Sequence, residues 1–170
     1  MCRILLVIFL ALTAGPCPAQ ILWRNTVHGM SIDEAKKTVS AAEAPSDRPS
    51  KLGDGELEKL RVPGVILINQ PFVGRLYFKD DKLVQVNLEG PRSISPESAS
   101  SLFDSLAEAL RAKYGKESSE KNQRIGSMTV RERTWMSGKT NVTVFLMVID
   151  RDPVLNVLYQ VRVSEEADKL

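Results

Sequence analysis

The sequence predicts an α+β fold, an antiparallel sheet with two helices packed on one face, in the order helix, hairpin, helix, hairpin. Three observations lead to this fold class. Residues 141–149 are rich in β-branched side chains and apolar in both alternate rows, which is typical of a strand inside a sheet. Turn residues stand before and after this run, so its neighbours should pair with it as antiparallel hairpins. Residues 96–114 carry apolar side chains at three- and four-residue steps, which indicates an amphipathic helix.

The first 19 residues have the features of a secretory signal peptide. Arg3 supplies the positive charge, and residues 4–12 form an apolar run that is too short to span a bilayer. We expect cleavage after Ala19, which leaves a periplasmic or secreted chain that begins at Gln20. The alternative is a lipoprotein in which Cys17 is the acylated residue.

Composition limits the chemistry of the mature chain. Both cysteines, Cys2 and Cys17, precede the expected cleavage site, which excludes disulfides, thiolate zinc sites and cysteine nucleophiles. Without Arg3, 22 of the 23 basic residues remain against 21 acidic ones, mixed along the chain, which argues against a nucleic-acid partner. Residues 20–170 are long enough for a single domain, and they contain no run that predicts a transmembrane segment.

The first part of the domain is predicted to contain a short helix and a long connection. Residues 21–27 suggest a short strand, and Ser31 with Glu34 has the spacing of a capping box that opens a helix. From 43 to 61 the chain is rich in Ala, Pro, Ser, Gly and charged residues, which predicts a mobile connection.

The first hairpin is expected after this connection. Residues 65–68 begin the sheet, residues 73–79 continue it, and Asp80 with Asp81 forms a tight turn into the strand 83–88. The inward row of this hairpin is predicted to consist of Leu76, Phe78, Val84, Val86 and Leu88.

The second helix is the clearest element of the sequence. Ser95 should cap it, Pro96 suits its first position, and Gly115 should end it. Its apolar stripe is predicted to consist of Ala99, Leu102, Phe103, Leu106, Ala109, Leu110 and Tyr114. A polar loop at 116–127 should then lead to three strands, at about 128–136, 141–149 and 154–163.

Candidate catalytic groups lie around His28, the sole histidine. Asp33 and Glu34 are close to it in the sequence, so a carboxylate-based hydrolase is an alternative function for this region. A Ser-His-Asp arrangement would also have to use His28 with Ser31, but the helix cap already accounts for Ser31. We therefore assign no catalytic residue.

Other motifs are weak. The S-G-K-T run at 137–140 is similar to the end of a phosphate-binding loop, but Arg133 stands where the first glycine belongs. The N-V-T run at 141–143 fits a glycosylation acceptor, yet it opens a predicted strand. The aspartates at turns are too sparse for a calcium loop. The sequence therefore predicts no metal ligand and no cofactor.

Several short motifs resemble those of a known group of proteins. They are Trp23 with H-G-M-S-I-D-E at 28–34, Y-F-K-D-D-K-L at 77–83, K-Y-G at 113–115, Trp135 with the downstream Thr143, and V-L-Y at 157–159. Their order resembles uncharacterised bacterial secreted proteins with a W…G-M-S/T helix, a Y-x-F-x-D-x-K-L hairpin and a K-Y-G helix end. More distantly it resembles the SmpA/OmlA-type envelope lipoproteins and the β-lactamase-inhibitor-like proteins. The resemblance implies helices packed on an antiparallel sheet, and such motifs specify a fold rather than a function.

The function that we expect is a non-enzymatic periplasmic or secreted binding module. Its partner would be a protein, a peptide or an envelope component, bound on the sheet face away from the helices or on an exposed edge strand. An enzyme should gather polar groups with shifted pKa values in one cleft, whereas a binding module should expose a continuous apolar patch.

Overall fold

The computed structural model describes residues 20–161, which form one antiparallel sheet of seven strands and two helices. In chain order the elements are α1 (Ile32–Thr38), β1 (Leu57–Leu67), β2 (Gln70–Lys79), β3 (Lys82–Glu89), α2 (Pro96–Tyr114), β4 (Ser119–Ile125), β5 (Met128–Ser137), β6 (Thr140–Ile149) and β7 (Asp152–Val161). Across the sheet the order is β1-β2-β3-β7-β6-β5-β4. The α+β class is confirmed. The order helix, hairpin, helix, hairpin is not confirmed: three strands follow α1, and four strands follow α2 where three were predicted.

Helix α2 has the predicted bounds. The N–H of Ser98 donates to Ser95 Oγ at 3.2 Å, and Gly115 ends the helix at a φ of +84°. The buried residues are Ala99, Leu102, Phe103, Leu106, Ala107 and Leu110. The stripe was predicted to include Ala109, which is exposed. Ala107 is buried instead, because it lies between Phe103 and Leu110 on the side that faces the sheet.

Helix α2 packs on β5, β6 and β7, and we call the sheet face beneath it the inner face. Arg131 of β5 lies opposite Leu146 of β6, and its guanidinium stands 4.3 Å from the centroid of the Phe103 ring. The buried residues of the inner face include Leu60, Leu76, Val86, Leu88, Trp135, Val142, Val144, Leu146, Leu155, Val157 and Tyr159. The interior position predicted for the strand 141–149 is confirmed, since β6 lies between β5 and β7.

A bulge changes the inward row of the first hairpin. Tyr77 lies opposite Gln85, but the next residue, Phe78, lies opposite Leu83. Val84 is therefore the extra residue, and it is only half-buried, whereas Leu83 is fully buried. The prediction that Val84 belongs to the inward row was wrong for this reason.

Two segments predicted to be connections contain strands. Residues 57–61 belong to β1, where we had predicted the end of the connection 43–61, and Glu43 forms an isolated bridge with Arg61. The polar loop predicted at 116–127 contains β4, whose seven residues are all exposed. A strand with no buried side chain has no apolar alternation, so its sequence does not reveal it.

The predicted strand at 21–27 is a turn. Ile21 and Val27 form a single antiparallel bridge, and Arg24 and Asn25 between them have φ values of +46° and +64°. Such positive φ values end an extended strand.

The predicted signal peptide, Cys17 and the end of the last strand beyond Val161 lie outside the described residues. Within residues 20–161, no helix is both long and apolar enough to cross a membrane.

Candidate binding face

The side of the sheet opposite α2, which we call the outer face, divides into two halves. The register places Asn87, Leu158 and Thr143 in one row across β3, β7 and β6. The next row contains Glu89, Asn156 and Phe145. The charged half, on β1 to β3, contains Glu58, Arg61, Arg75, Tyr77, Asn87 and Glu89. The apolar half, on β5 to β7, contains Val130, Phe145, Met147, Val154 and Leu158, with Glu132, Thr134, Thr143 and Asn156 between them.

Glu58 is the centre of the charged half. Its side chain is only 1% exposed, and it accepts hydrogen bonds from Arg61 Nε at 2.7 Å, Arg75 Nη1 at 2.8 Å and the Ser50 N–H at 3.0 Å. Burial raises the pKa of this carboxyl, but the bonds from Arg61 and Ser50 and the charge of Arg75 outweigh it. The pKa is therefore lowered, and Glu58 is a buried carboxylate with a full set of partners.

The network continues from both arginines. Arg61 also pairs with Asp47 at 2.7 Å, and its hydrogen bond to Glu58 raises the pKa of the guanidinium. Arg75 Nε donates to Glu89 at 2.5 Å, and the exposed Arg92 pairs with the same carboxylate. These contacts hold the loop that contains Asp47 and Ser50 against β1 and β2.

A cleft of about 380 Å³ opens between this loop and the outer face. Its lining residues are Asp47, Arg48, Ser50, Arg75, Tyr77, Asn87, Glu89, Arg92, Val154 and Asn156. Tyr77 is 2% exposed, and its burial raises the pKa of the phenol. Arg48 is exposed and takes part in none of the ion pairs that the described residues form. The rim of the cleft therefore presents two accessible guanidinium groups, those of Arg48 and Arg92.

The apolar residues of this half are partly exposed, and a charged residue lies among them, since Glu132 stands directly opposite Phe145. Met147 lies directly opposite both Val130 and Val154, and Phe145 and Leu158 occupy the adjoining rows. Val154 is 41% exposed and the other four residues are half-buried, although they stand on interior strands. Val154 also lines the cleft, so the two halves of the outer face meet at this residue.

The region around His28 has a different character. His28 is exposed, and its N–H donates to the Gln20 carbonyl at 3.0 Å within a turn. Ser31 Oγ accepts from the Glu34 N–H at 3.4 Å, while the Glu34 carboxylate accepts from the Ser31 N–H at 2.8 Å and from Ser31 Oγ at 2.8 Å. The predicted capping box is confirmed. These bonds from Ser31 lower the pKa of Glu34. His28, Asp33 and Glu34 line none of the four cavities described for residues 20–161.

The other candidate motifs serve the fold. The S-G-K-T run joins β5 to β6, with Gly138 at a φ of +61°, and Thr140 Oγ1 donates to the Ile21 carbonyl at 2.8 Å. In the part of the chain that the structure describes, no three His, Cys, Asp or Glu side chains come together as a metal site.

The sequence predicted one half of the outer face better than the other. The row with Phe145 and Met147 was recognised as apolar from its alternation. The network around Glu58 was missed, because its members come from three strands and two loops, from Asp47 to Arg92 in the numbering of the chain. A carboxylate and two arginines at such distances give no local pattern.

Comparison with protein-family models, with curated proteins and with solved structures found no match to this chain. The resemblance to bacterial secreted proteins and envelope lipoproteins therefore stays a prediction.

Proposed function

We propose that the protein is a binding module that holds a segment of a partner polypeptide on the apolar half of its outer face. One observation carries the proposal. β6 is apolar on both faces, but α2 covers only its inner row, Val142, Val144 and Leu146. In the outer row, Met147 lies between Val130 and Val154, and Phe145 lies in the next row between Glu132 and Asn156, so partly exposed apolar side chains stand on interior strands. Apolar side chains that are left partly exposed together on one face support an interaction site there.

The placement of the helices supports this proposal. We infer that α1 packs on the inner face as α2 does, because Ala35 and Val39 belong to the same hydrophobic core as Phe103 and Leu88. With both helices on one side, the outer face is left for a partner.

The chemistry of the partner follows from what borders the apolar half. At its junction with the cleft, Val154 stands beside Arg92, whose side chain is 81% exposed, and Arg48 lies across the cleft. Guanidinium groups bind carboxylates in a bidentate manner. The partner segment should therefore carry several apolar side chains with a carboxylate next to them. Export of the chain, predicted from residues 1–19, would place this interaction in the periplasm or outside the cell.

The hydrolase alternative rests on His28, Asp33 and Glu34. Ser31 is engaged in the helix cap, and the Glu34 carboxylate is bonded to it. Nothing in the geometry of this exposed turn favours hydrolysis over the helix cap, and the polar cleft lies elsewhere, around Glu58 and Arg75.

Selection from a displayed peptide library tests the proposal. The purified chain from Gln20 should enrich peptides that combine apolar residues with Asp or Glu, and calorimetry should then give a dissociation constant for a synthetic copy. Phe145→Ser should weaken binding of that peptide at least tenfold, and Arg92→Gln should weaken it less. Ile66→Ser is the matched control, because Ile66 is 60% exposed on β1 and far from the apolar half.

Two results would overturn the proposal. One is a library that yields no peptide whose binding depends on Phe145. The other is equal weakening by Phe145→Ser and Ile66→Ser, which would show a general response to lost apolar surface.

A further inference from the structure

The two edges of the sheet are built differently. On β1, Pro63 lacks an N–H group, Gly64 has a φ of +65°, and the register with β2 shifts between Val62 and Val65. Isolated bridges from Glu43 and Lys51 also cover parts of this edge. Proline, bulges and covering segments are the usual means of preventing strand addition.

The β4 edge has no proline, bulge or covering segment among the described residues, although it carries Lys121, a charge of the kind that also discourages strand addition. Its residues, S-E-K-N-Q-R-I from 119 to 125, contain no proline or glycine, and the register with β5 runs without a shift. Within residues 20–161, β4 pairs with β5 alone, and all seven of its side chains are exposed. Its outer edge therefore presents a straight row of backbone N–H and C=O groups to solvent.

We propose that this edge pairs with the β4 strand of a second copy of the chain, antiparallel about a twofold axis at Asn122. The charges of the two strands are complementary in this pairing. In this register Glu120 lies opposite Arg124 of the second copy, and the twofold axis repeats the pair. Lys121 lies opposite Gln123 of the second copy, so no like charges face each other directly.

The register also agrees with the faces of the sheet. Residues 120 and 124 are both on the α2 side, because they alternate with residues 121 and 123 on the outer side. Pairing about Asn122 therefore joins the inner face of one copy to the inner face of the other. With seven strands from each copy, the result is one continuous sheet of fourteen strands. The two Lys121 side chains lie diagonally across the axis, so the dimer should be weak.

The pairing is independent of the proposed function. In this register the apolar half of each copy stays on the outer face and is not covered by the other copy. A dimer through β4 would present two such surfaces side by side.

Sedimentation velocity of the chain from Gln20, over about 1 µM to 1 mM, measures the pairing. The wild-type protein should form dimers in this range. Glu120→Arg and Arg124→Glu, each alone, should raise the dissociation constant at least tenfold, because each places two like-charged pairs across the axis. An equimolar mixture of the two variants should restore the dimer as a heterodimer, since opposite charges then face each other.

Two controls separate this contact from others. Lys59→Glu reverses an exposed charge on β1 and should leave the dimer unchanged. Phe145→Ser should also leave it unchanged, because Phe145 lies on the outer face rather than at the edge. Thermal unfolding of each variant checks that the fold is retained, which matters for Glu120 because it pairs with Arg133 at 2.9 Å.

A wild-type protein that stays monomeric up to 1 mM overturns the inference. So does a mixture of the two charge variants that stays as monomeric as each variant alone. Loss of the dimer in Phe145→Ser would also overturn it, since the second copy would then lie on the outer face.

Discussion

The two halves of the outer face differ in where their partners are. In the charged half, Glu58, Arg75 and Glu89 bind one another, and buried charge is balanced within the chain. In the apolar half, Phe145 and Met147 stand on an interior strand with no covering element among the described residues. A side chain whose partners lie inside the chain serves the fold, and one that lacks them is available to another molecule. The shifted pKa values of Glu58 and Arg75 belong to side chains that serve the fold.

The comparison predicts the largest loss of stability in the charged half. Glu58→Ala should lower the free energy of unfolding by about 3–5 kcal/mol, because it leaves Arg61 and Arg75 without their shared carboxylate in a buried setting. Urea unfolding followed by circular dichroism measures this. Glu108→Ala, at an exposed position of α2, is the control and should stay within about 0.5 kcal/mol of wild type. Similar losses in both variants would mean that the network around Glu58 is not structural.

The same carboxylate predicts the direction of a pH effect. The pKa of Glu58 is lower in the folded chain than its usual 4.5, so the unfolded chain takes up its proton first as the pH falls. The stabilisation is complete above pH 4.5 and is lost progressively below it, toward the lowered pKa. Urea unfolding between about pH 6 and pH 3 should show this loss, and Glu58→Gln should make the decline shallower. An unchanged slope in that variant would contradict the assignment.

The inner face shows how much stability a fully buried apolar side chain should contribute, for comparison with the apolar half of the outer face. Leu106 is 4% exposed beneath α2, so Leu106→Ala should cost about 2–5 kcal/mol through the cavity that it leaves. Ser101→Ala, on the exposed side of the same helix, should be close to neutral. The measurement is again urea unfolding. Equal losses of stability in Leu106→Ala and Ser101→Ala would mean that the side of α2 with Leu106 does not face the sheet.

A smaller effect is expected at the cap of α1. Ser31→Ala should cost about 0.5–2 kcal/mol because it removes the acceptor for the Glu34 N–H, while Ser31→Asp should keep most of the stability. Thermal unfolding of both variants, with His28→Ala, tests the cap against the hydrolase alternative. Loss of function without loss of stability in both Ser31→Asp and His28→Ala would favour catalysis.

A change in stability smaller than that at Leu106 is expected in the apolar half. Phe145→Ser exchanges a half-buried side chain with no covering element, so it should cost less than Leu106→Ala, although both remove a large apolar group. Thermal unfolding of the two variants under one condition measures the difference. A loss at Phe145 as large as that at Leu106 would mean that the outer row is part of the core.

Local patterns were enough to predict part of this fold. The bounds of α2 and the cap at Ser31 were predicted correctly, because capping residues and helical periodicity act over a few residues. The interior position of β6 followed from its two apolar rows. In contrast, the strand β4 and residues 57–61 of β1 were missed, since the first is polar throughout and the second mixes two leucines with charged residues without regular apolar alternation.

The candidate site depended on distant contacts and was predicted less completely. The apolar row of β6 was visible in the sequence, but only the position of α2 shows that this row lies open. The bonds from Arg61 and Arg75 to Glu58 require the β1–β2 register with its two shifts, which no local pattern specifies. The bulge at Val84 reversed an inward assignment for the same reason.

Amide chemical shifts test the central claim most directly. A two-dimensional NMR spectrum of the isotope-labelled chain, titrated with the peptide selected from the library, shows where that peptide binds. The account predicts the largest shift changes at Val130, Phe145, Met147 and Leu158, with smaller changes at Arg92. Changes centred on His28 and Glu34, or on α2 with the outer face unaffected, would contradict it.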